Sequence, residues 1–266
     1  MNKKLVDYWT DKAVVVTGAS SGLGKAIVEA LAPFNVHFCL LSRRKEPMLE
    51  LAKLLKESPS RFWIKSCDVQ HREQVYAAIQ EFHQQSGRID AVWVNSGIGI
   101  NSAFDKWDWD TVEAVIDTNL KGALYTTRAC LEIMVPQKSG AIIAIGSASS
   151  MRGLPTRSIY CLTKIGLQYF IESLAAELHD IQFTMIHPGY VQTPIISNNT
   201  NPIWVMSPEK AAQIMITAVA KKKKFLVYPF RMKLLYRFVR FLPLPLYVAV
   251  ARKLIRRYYK KSYSDN

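Results

Sequence analysis

The chain has 266 residues, of which 49% are hydrophobic and 21% charged. That is enough to bury a full core in one large or two small domains, and it excludes a disordered or collagen-like chain. Its formal charge of +14 is unevenly placed: residues 221–266 hold 14 of the 35 Lys and Arg and one acid, Asp265, so the first 220 residues are close to neutral.

The N-terminal dozen residues carry Lys3, Lys4, Asp7 and Asp11 and have no apolar stretch of signal-peptide length. From residue 13 onward, apolar runs alternate with amphipathic stretches. This pattern predicts strands at 13–17, 36–41, 62–67, 89–95, 141–147, 182–187 and 225–228, with helices over 24–31, 46–57, 72–85, 107–134, 158–179 and 207–219. Near-continuous apolar strands separated by helices indicate an α/β fold: a doubly wound parallel sheet of about seven strands covered on both faces. Ligands of such sheets bind beyond the carboxyl ends of the strands. There is no internal repeat, so residues 1–228 are expected to form a single domain, with 229–266 a helical tail.

In that tail, residues 230–242 place Lys233, Arg237 and Arg240 on one helical face, the rest being mainly Phe, Met, Leu, Tyr and Val. Pro243 and Pro245 are expected to break the helix, which resumes over 246–260 with Arg252, Lys253, Arg256, Arg257 and Lys260. The longest charge-free apolar run, 241–251, spans 11 residues and is too short to cross a bilayer. Basic faces against apolar ones suit a helix lying in a membrane interface, where each cation contributes about 1 kcal/mol near an anionic leaflet. The alternatives are packing of the apolar faces on the domain or a second subunit, and a calmodulin-like partner. Nucleic acid is disfavoured, because such tails rarely carry so much Leu and Val.

Four cysteines, Cys39, Cys67, Cys130 and Cys161, stand far apart without a C-x-x-C pair. No metal site and no disulfide framework are expected, and the setting is read as cytoplasmic.

After the first strand comes Thr17-Gly18-Ala19-Ser20-Ser21-Gly22-Leu23-Gly24. Glycines at 18, 22 and 24 permit a tight turn and let backbone amides approach a pyrophosphate at the positive end of the following helix. The spacing is G-x-x-x-G-x-G, and with Thr17 before it the segment resembles the short-chain dehydrogenase/reductase family over about residues 1–228. A Rossmann-type fold and a nicotinamide cofactor are what this resemblance implies, with Gly18, Ser20, Ser21, Gly22, Leu23 and Gly24 as the phosphate loop.

The second strand ends in Ser42-Arg43-Arg44, where an NAD enzyme needs a carboxylate for the ribose 2′-OH. Two guanidinium groups suit a 2′-phosphate instead, so the expected cofactor is NADP(H). By the same resemblance, Asp68 and Val69 meet the adenine, and Asn95-Ser96-Gly97 matches the family's Asn-Ala-Gly with Ser for Ala. The segment with Pro188-Gly189 and Val191 resembles the family's cover over the nicotinamide, and Thr193 is the expected partner of the carboxamide or pyrophosphate. A substrate loop falls at 194–206, and family members are commonly dimers or tetramers.

Tyr160 and Lys164 stand one helical turn apart. Composition alone predicts about one Y-x-x-x-K pair in such a chain, and Tyr8 with Lys12 is a second, placed before the first strand where no site can form. What distinguishes Tyr160 is Ser147, 13 residues earlier at a strand end, and Asn119 in a preceding helix. Together the four resemble the family's Asn-Ser-Tyr-Lys set, which implies Tyr160 as general acid/base and Asn119 as holder of a water that links Lys164 to solvent. Free Tyr, with a pKa of about 10, is too weak an acid–base catalyst near neutrality, so Lys164 and the oxidised nicotinamide are expected to lower it. Ser147 would donate a hydrogen bond to the substrate oxygen. His187, at a strand end before Pro-Gly, is given no catalytic role.

The expectation is an NADP(H)-dependent oxidoreductase interconverting a carbonyl and a secondary alcohol on a small-molecule or lipid-like substrate. It is expected to work as a homo-oligomer, peripheral on a membrane through residues 229–266. The alternative is a non-catalytic NADP(H)-binding regulator on the same fold.

Overall fold

Seven strands form one sheet, and every pairing in it is parallel. In the computed structural model, which describes residues 3–104, 107–196 and 203–263, they are β1 (Ala13–Thr17), β2 (His37–Ser42), β3 (Arg61–Ser66), β4 (Ala91–Val94), β5 (Ala141–Ile145), β6 (Gln182–Pro188) and β7 (Phe225–Tyr228). The order is β3-β2-β1-β4-β5-β6-β7. The chain therefore winds outward from β1 in one direction and from β4 in the other, and the strand order reverses between these two neighbours.

Because successive strand side chains point to opposite faces, each strand feeds two cores. On one face Val14, Val16, Phe38, Leu40, Trp93 and Ile143 pack against Ile27 and Leu31 of α2 (Gly22–Leu31) and Met215 and Ile216 of α8 (Pro208–Ala220). On the other, Val15, Leu41, Val92, Ile142 and Ala144 meet α4 (Arg72–Ser86), α6 (Gly122–Met134) and α7 (Ser158–Glu177) through Phe82, Cys130 and Leu167. Helix α3 (Glu46–Leu54) closes the first core through Met48 and Leu51.

The structure departs from the sequence expectations in three places. A first helix, α1 (Lys3–Trp9), precedes β1, and its buried Trp9 stacks on Trp93 at 6.0 Å and donates to the carbonyl of Ile216. The single helix expected over 107–134 is divided into α5 (Trp109–Ile116), a π-helical turn over Asp117–Lys121, and α6. Asp108 caps α5 by accepting from the amide of Thr111 at 3.1 Å. The tail forms α9 (Phe230–Phe241) and α10 (Leu244–Tyr263). Only Pro243 lies at a break; Pro245 lies in the first turn of α10, where a missing N–H costs nothing.

Helix α9 does not stand apart from the domain. Met232 and Tyr236 are buried against Ala148 and Val227, with Leu235 packed beside them. The expected substrate loop at 194–206 is pinned where it is described, by a bridge between Val191 and Met206; residues 197–202 of that expectation lie outside the described residues. No helix among the described residues is long and apolar enough to cross a membrane.

Candidate active site

The reversal of strand order leaves a crevice beyond the carboxyl ends of β1 and β4, and one threonine ties its two lips. Thr17 Oγ1 donates to the carbonyl of Trp93 at 3.2 Å and accepts from the amides of Asn95 and Ser96 at 3.0 and 3.2 Å. Asn95 Nδ2 returns the contact by donating to the carbonyls of Thr17 and Gly18. Asn95 thus braces the phosphate loop, a duty that its spacing in the sequence did not reveal.

The loop itself turns at Gly18, whose φ of +69° suits a residue without Cβ. Gly24 serves a different purpose from the one expected of it. A Cβ there would lie 2.2 Å from the carbonyl oxygen of Gly18, so glycine is what lets α2 approach the loop; Gly24 packs beneath the crevice rather than lining it. The Ser21 side chain makes no cap to α2, which leaves the first amides of the helix to face an anion.

All the other residues expected to hold a dinucleotide line one cleft of about 600 Å³. At one end, Ser42 Oγ donates to Ser20 Oγ at 2.9 Å and an Arg44 nitrogen donates to the same oxygen at 3.3 Å, with Arg43 exposed at the rim. Asp68, Val69, Ser96 and Gly97 line the same cleft, as do Pro188, Gly189, Val191 and Thr193. A mouth of small residues with open helix amides and two arginines fits a phosphorylated dinucleotide in shape and charge.

At the other end Ser147, Tyr160 and Lys164 line the same cleft. Ser147 follows β5, where its Oγ accepts from the amide of Ser149 at 3.1 Å and caps the short turn over 148–151. Lys164 is buried on α7; its Nζ donates to the carbonyl of Ile145 at 3.0 Å and lies 5.8 Å from the centre of the Tyr160 ring.

Asn119 does not reach the cleft. It is wholly buried in the π-helical turn; its Oδ1 accepts from the amide of Ile98 at 2.8 Å and its Nδ2 donates to the carbonyl of Ile98 at 2.9 Å and to Thr163 Oγ1. Asn119 therefore fixes the irregular segment that follows Gly97 to the helix that carries Tyr160. The extra residue of the π turn is how a helix with good hydrogen bonding presents such a side chain sideways.

Burial sets the electrostatics. It pushes the Tyr160 phenol above its usual range, opposed by a hydrogen bond with Ser147. The sequence expectation concerned Tyr160 with Lys164 and an oxidised nicotinamide beside it, and the raised value belongs to the chain alone. Burial also pushes the Lys164 ammonium down to about 8, and no carboxylate among the described residues lies within ion-pair distance of it. His187 is fully buried, with its Nδ1 2.9 Å from the carbonyl oxygen of Ser147, and burial pushes it down to about 4. It is neutral at physiological pH and lies behind the cleft.

Apolar side chains also line the cleft: Ile195 and Ile203 from the expected substrate loop and, not singled out by the sequence, Met151, Leu154, and Met232 and Leu235 from α9. The signal that would have found the last two is the apolar face of α9, which reads equally well as a face turned to lipid.

The profile of the family described as short chain dehydrogenase matches residues 12–203. A protein of Bos taurus named dehydrogenase/reductase SDR family member 7B is 30% identical over an alignment covering 97% of this chain and 85% of its own. Among solved structures, an alcohol dehydrogenase from the archaeon Thermococcus sibiricus, complexed with 5-hydroxy-NADP, aligns with a TM-score of 0.74 at 24% identity, over 82% of this chain and 95% of that one. A short chain dehydrogenase/reductase from Burkholderia phymatum, in complex with NAD, aligns with a TM-score of 0.78 at 18% identity, over 86% and 93%. These two share the fold and hold different dinucleotides.

Lys164→Met tests the burial account. The folded-state value of Lys164 lies below its ordinary 10.5, so its charge destabilises the fold at pH 7, and that penalty fades as pH rises through about 8 toward 10.5. Lys164→Met should stabilise the protein at pH 7 by about 1–3 kcal/mol, and the advantage should shrink by pH 10. Chemical denaturation at both pH values measures it, and a variant less stable than the parent at pH 7 contradicts the account.

Proposed function

Because the chain belongs to the short-chain dehydrogenase/reductase family of oxidoreductases, we propose that it is an NADP(H)-dependent enzyme interconverting a carbonyl and a secondary alcohol on a lipophilic substrate. The observation that carries this reading is the convergence of Ser147, Tyr160 and Lys164 in the cleft that also contains the phosphate loop. When bound, the dinucleotide supplies the hydride in reduction and takes it up in oxidation.

The chain's own residues handle the oxygen. In reduction, Tyr160 gives its phenolic proton to the oxygen as the carbon accepts hydride; in oxidation it takes the proton back. Ser147 is held by the Ser149 amide as acceptor, so its one hydroxyl proton, given to Tyr160 in the chain alone, would turn to the substrate oxygen, where charge develops. Lys164, anchored on Ile145, brings positive charge near the Tyr160 ring, where it would favour the phenolate over the phenol. Asn119 holds the Ile98 segment and α7 in register, which supports its place beside the proton path to Lys164.

NADP(H) rather than NAD(H) is favoured by Arg43 and Arg44 beside Ser20 and Ser42. The apolar side chains of the cleft support a lipophilic substrate.

The membrane reading gains a specific surface. At 100° per residue, Phe230, Leu234, Phe238 and Phe241 share the side of α9 opposite the buried Met232 and Tyr236, and all four are exposed. Arg231 flanks this apolar stripe on one side and Lys233 and Arg237 on the other. Such a helix lies in the interface of an anionic bilayer, which supports a cytoplasmic protein held peripherally through 229–266. A homo-oligomer is in keeping with the exposed Leu162 and Tyr169 on α7.

Tyr160→Phe should abolish ketone reduction while NADPH still binds, as measured by stopped assay and fluorescence titration. Retained turnover in the variant overturns the mechanism, and NADPH binding by the parent without turnover on any carbonyl compound favours the regulator. The full chain should sediment with phosphatidylserine-containing vesicles, less so at high salt and in Phe238→Asp; absence of sedimentation at low salt removes the membrane from the proposal.

A further inference from the structure

The turn that carries Ser147 is held from behind by the C-terminal helices. Ser150 Oγ lies in that turn and donates to the carbonyl of Ser147 at 2.8 Å; it also lies 2.9 Å from His187 Nδ1 and 3.3 Å from the Tyr236 hydroxyl. Tyr236, from the inner face of α9, is 3% exposed, a depth at which a phenol needs its partners. Its single hydroxyl proton goes either to Ser150 Oγ or to Gln168 Oε1 of α7, 3.2 Å away, and its oxygen accepts from Arg240 at 3.1 Å. Its ring packs against those of His187 and Phe225, with centres 5.5 and 6.0 Å away.

A second tie lies one turn further on. Arg152 donates to the carbonyls of Val239 and Leu242 at the carboxyl end of α9, where a cation meets the negative end of the helix. The same guanidinium stands 5.4 Å from the centre of the Tyr247 ring, and the Tyr247 hydroxyl of α10 donates to the carbonyl of Gly153 at 2.6 Å. Residues 147–153 are thus fastened to α9 and α10 at both ends.

We infer that α9 is part of the catalytic unit, with Tyr236 the positioning residue that sets Ser147 through Ser150 and the carbonyl of Ser147. This goes beyond a tail that serves only to reach a membrane. The inference rests on the reading of Ser147 as the group that faces the substrate oxygen. The link is direct: the Tyr236 hydroxyl joins α9, the serine turn and α7, and α7 carries Tyr160 and Lys164. Freeing that hydroxyl loosens the turn and leaves Ser150 and Gln168 short of a partner inside the protein.

The test uses the full chain with Tyr236→Phe, which keeps the ring packing and removes only the hydroxyl, and Ser150→Ala as a second route to the same loss. Each is expected to lower kcat/KM for ketone reduction about tenfold, mainly through kcat, with the NADPH dissociation constant unchanged within about twofold. The double variant should be no worse than the weaker single one, because both act through one chain of contacts.

A further readout is the pH profile of alcohol oxidation. Tyr160 is faced by Ser147, Lys164, Arg157 and Cys161, and the network behind it carries His187, Arg240, Arg152 and Glu172. Loss of a well-placed Ser147 hydroxyl removes a group that lowers the phenol, so the rising limb on the acid side of the profile, where Tyr160 must lose its proton to act as base, should move to higher pH in both variants. Parental kcat/KM and an unmoved pH limb in Tyr236→Phe, additive losses in the double variant, or a loss confined to NADPH affinity each overturn the inference. Failure of the mechanism itself shows separately, as turnover that survives Tyr160→Phe.

Discussion

A buried ammonium without a carboxylate partner is the constraint around which the site is arranged. Lys164 sits in the protein interior with the carbonyl of Ile145 as its hydrogen-bond acceptor, and desolvation of such a charge is expensive. The position is maintained only because the rest of the fold over-determines it. Strand β5 fixes the acceptor, the π-helical turn lets Asn119 pin the Ile98 segment to α7, and α7 itself is packed along the sheet. A fold selected only for stability would place an apolar residue there, and that cost supports the role proposed for Lys164.

The same arrangement would bring the proposed hydride and proton steps to one place. Reversal of strand order between β1 and β4 opens the crevice, Thr17 ties its lips, and the amino end of α2 leaves its first amides open to an anion. The end of β5 lies next to β4, so Ser147 arrives at the far end of the same crevice, with Tyr160 coming from the helix that packs over it.

Much of this was legible in the sequence for physical reasons. A parallel sheet buried on both faces has strands that are apolar throughout, and the Gly18-to-Gly24 segment has few uses apart from a tight turn under a helix. The residues proposed for the cofactor, Gly24 aside, meet in one cleft. What was not legible came from contacts distant in the chain. Helix α1 is only seven residues long, and its anchor Trp9 is defined by Trp93 and Ile216. The π turn leaves no mark on a helical period. Helix α9 has two apolar faces separated by cations, and periodicity cannot say which meets the domain; burial of Met232 and Tyr236 settles that for one of them. Asn119 and Asn95 show the same limit, since resemblance located both but only geometry revealed them as braces of the loops beside the cleft.

The direct measurement of the central claim is hydrogen–deuterium exchange of the full chain with NADPH and, separately, NADH. NADPH should slow exchange in the Gly18–Leu23 loop, after β2 at Arg43 and Arg44, and in the 188–193 wall, at concentrations where NADH does not. Protection that bypasses these three segments would contradict the placement of the site, and equal protection by NADH would contradict the reading of the two arginines.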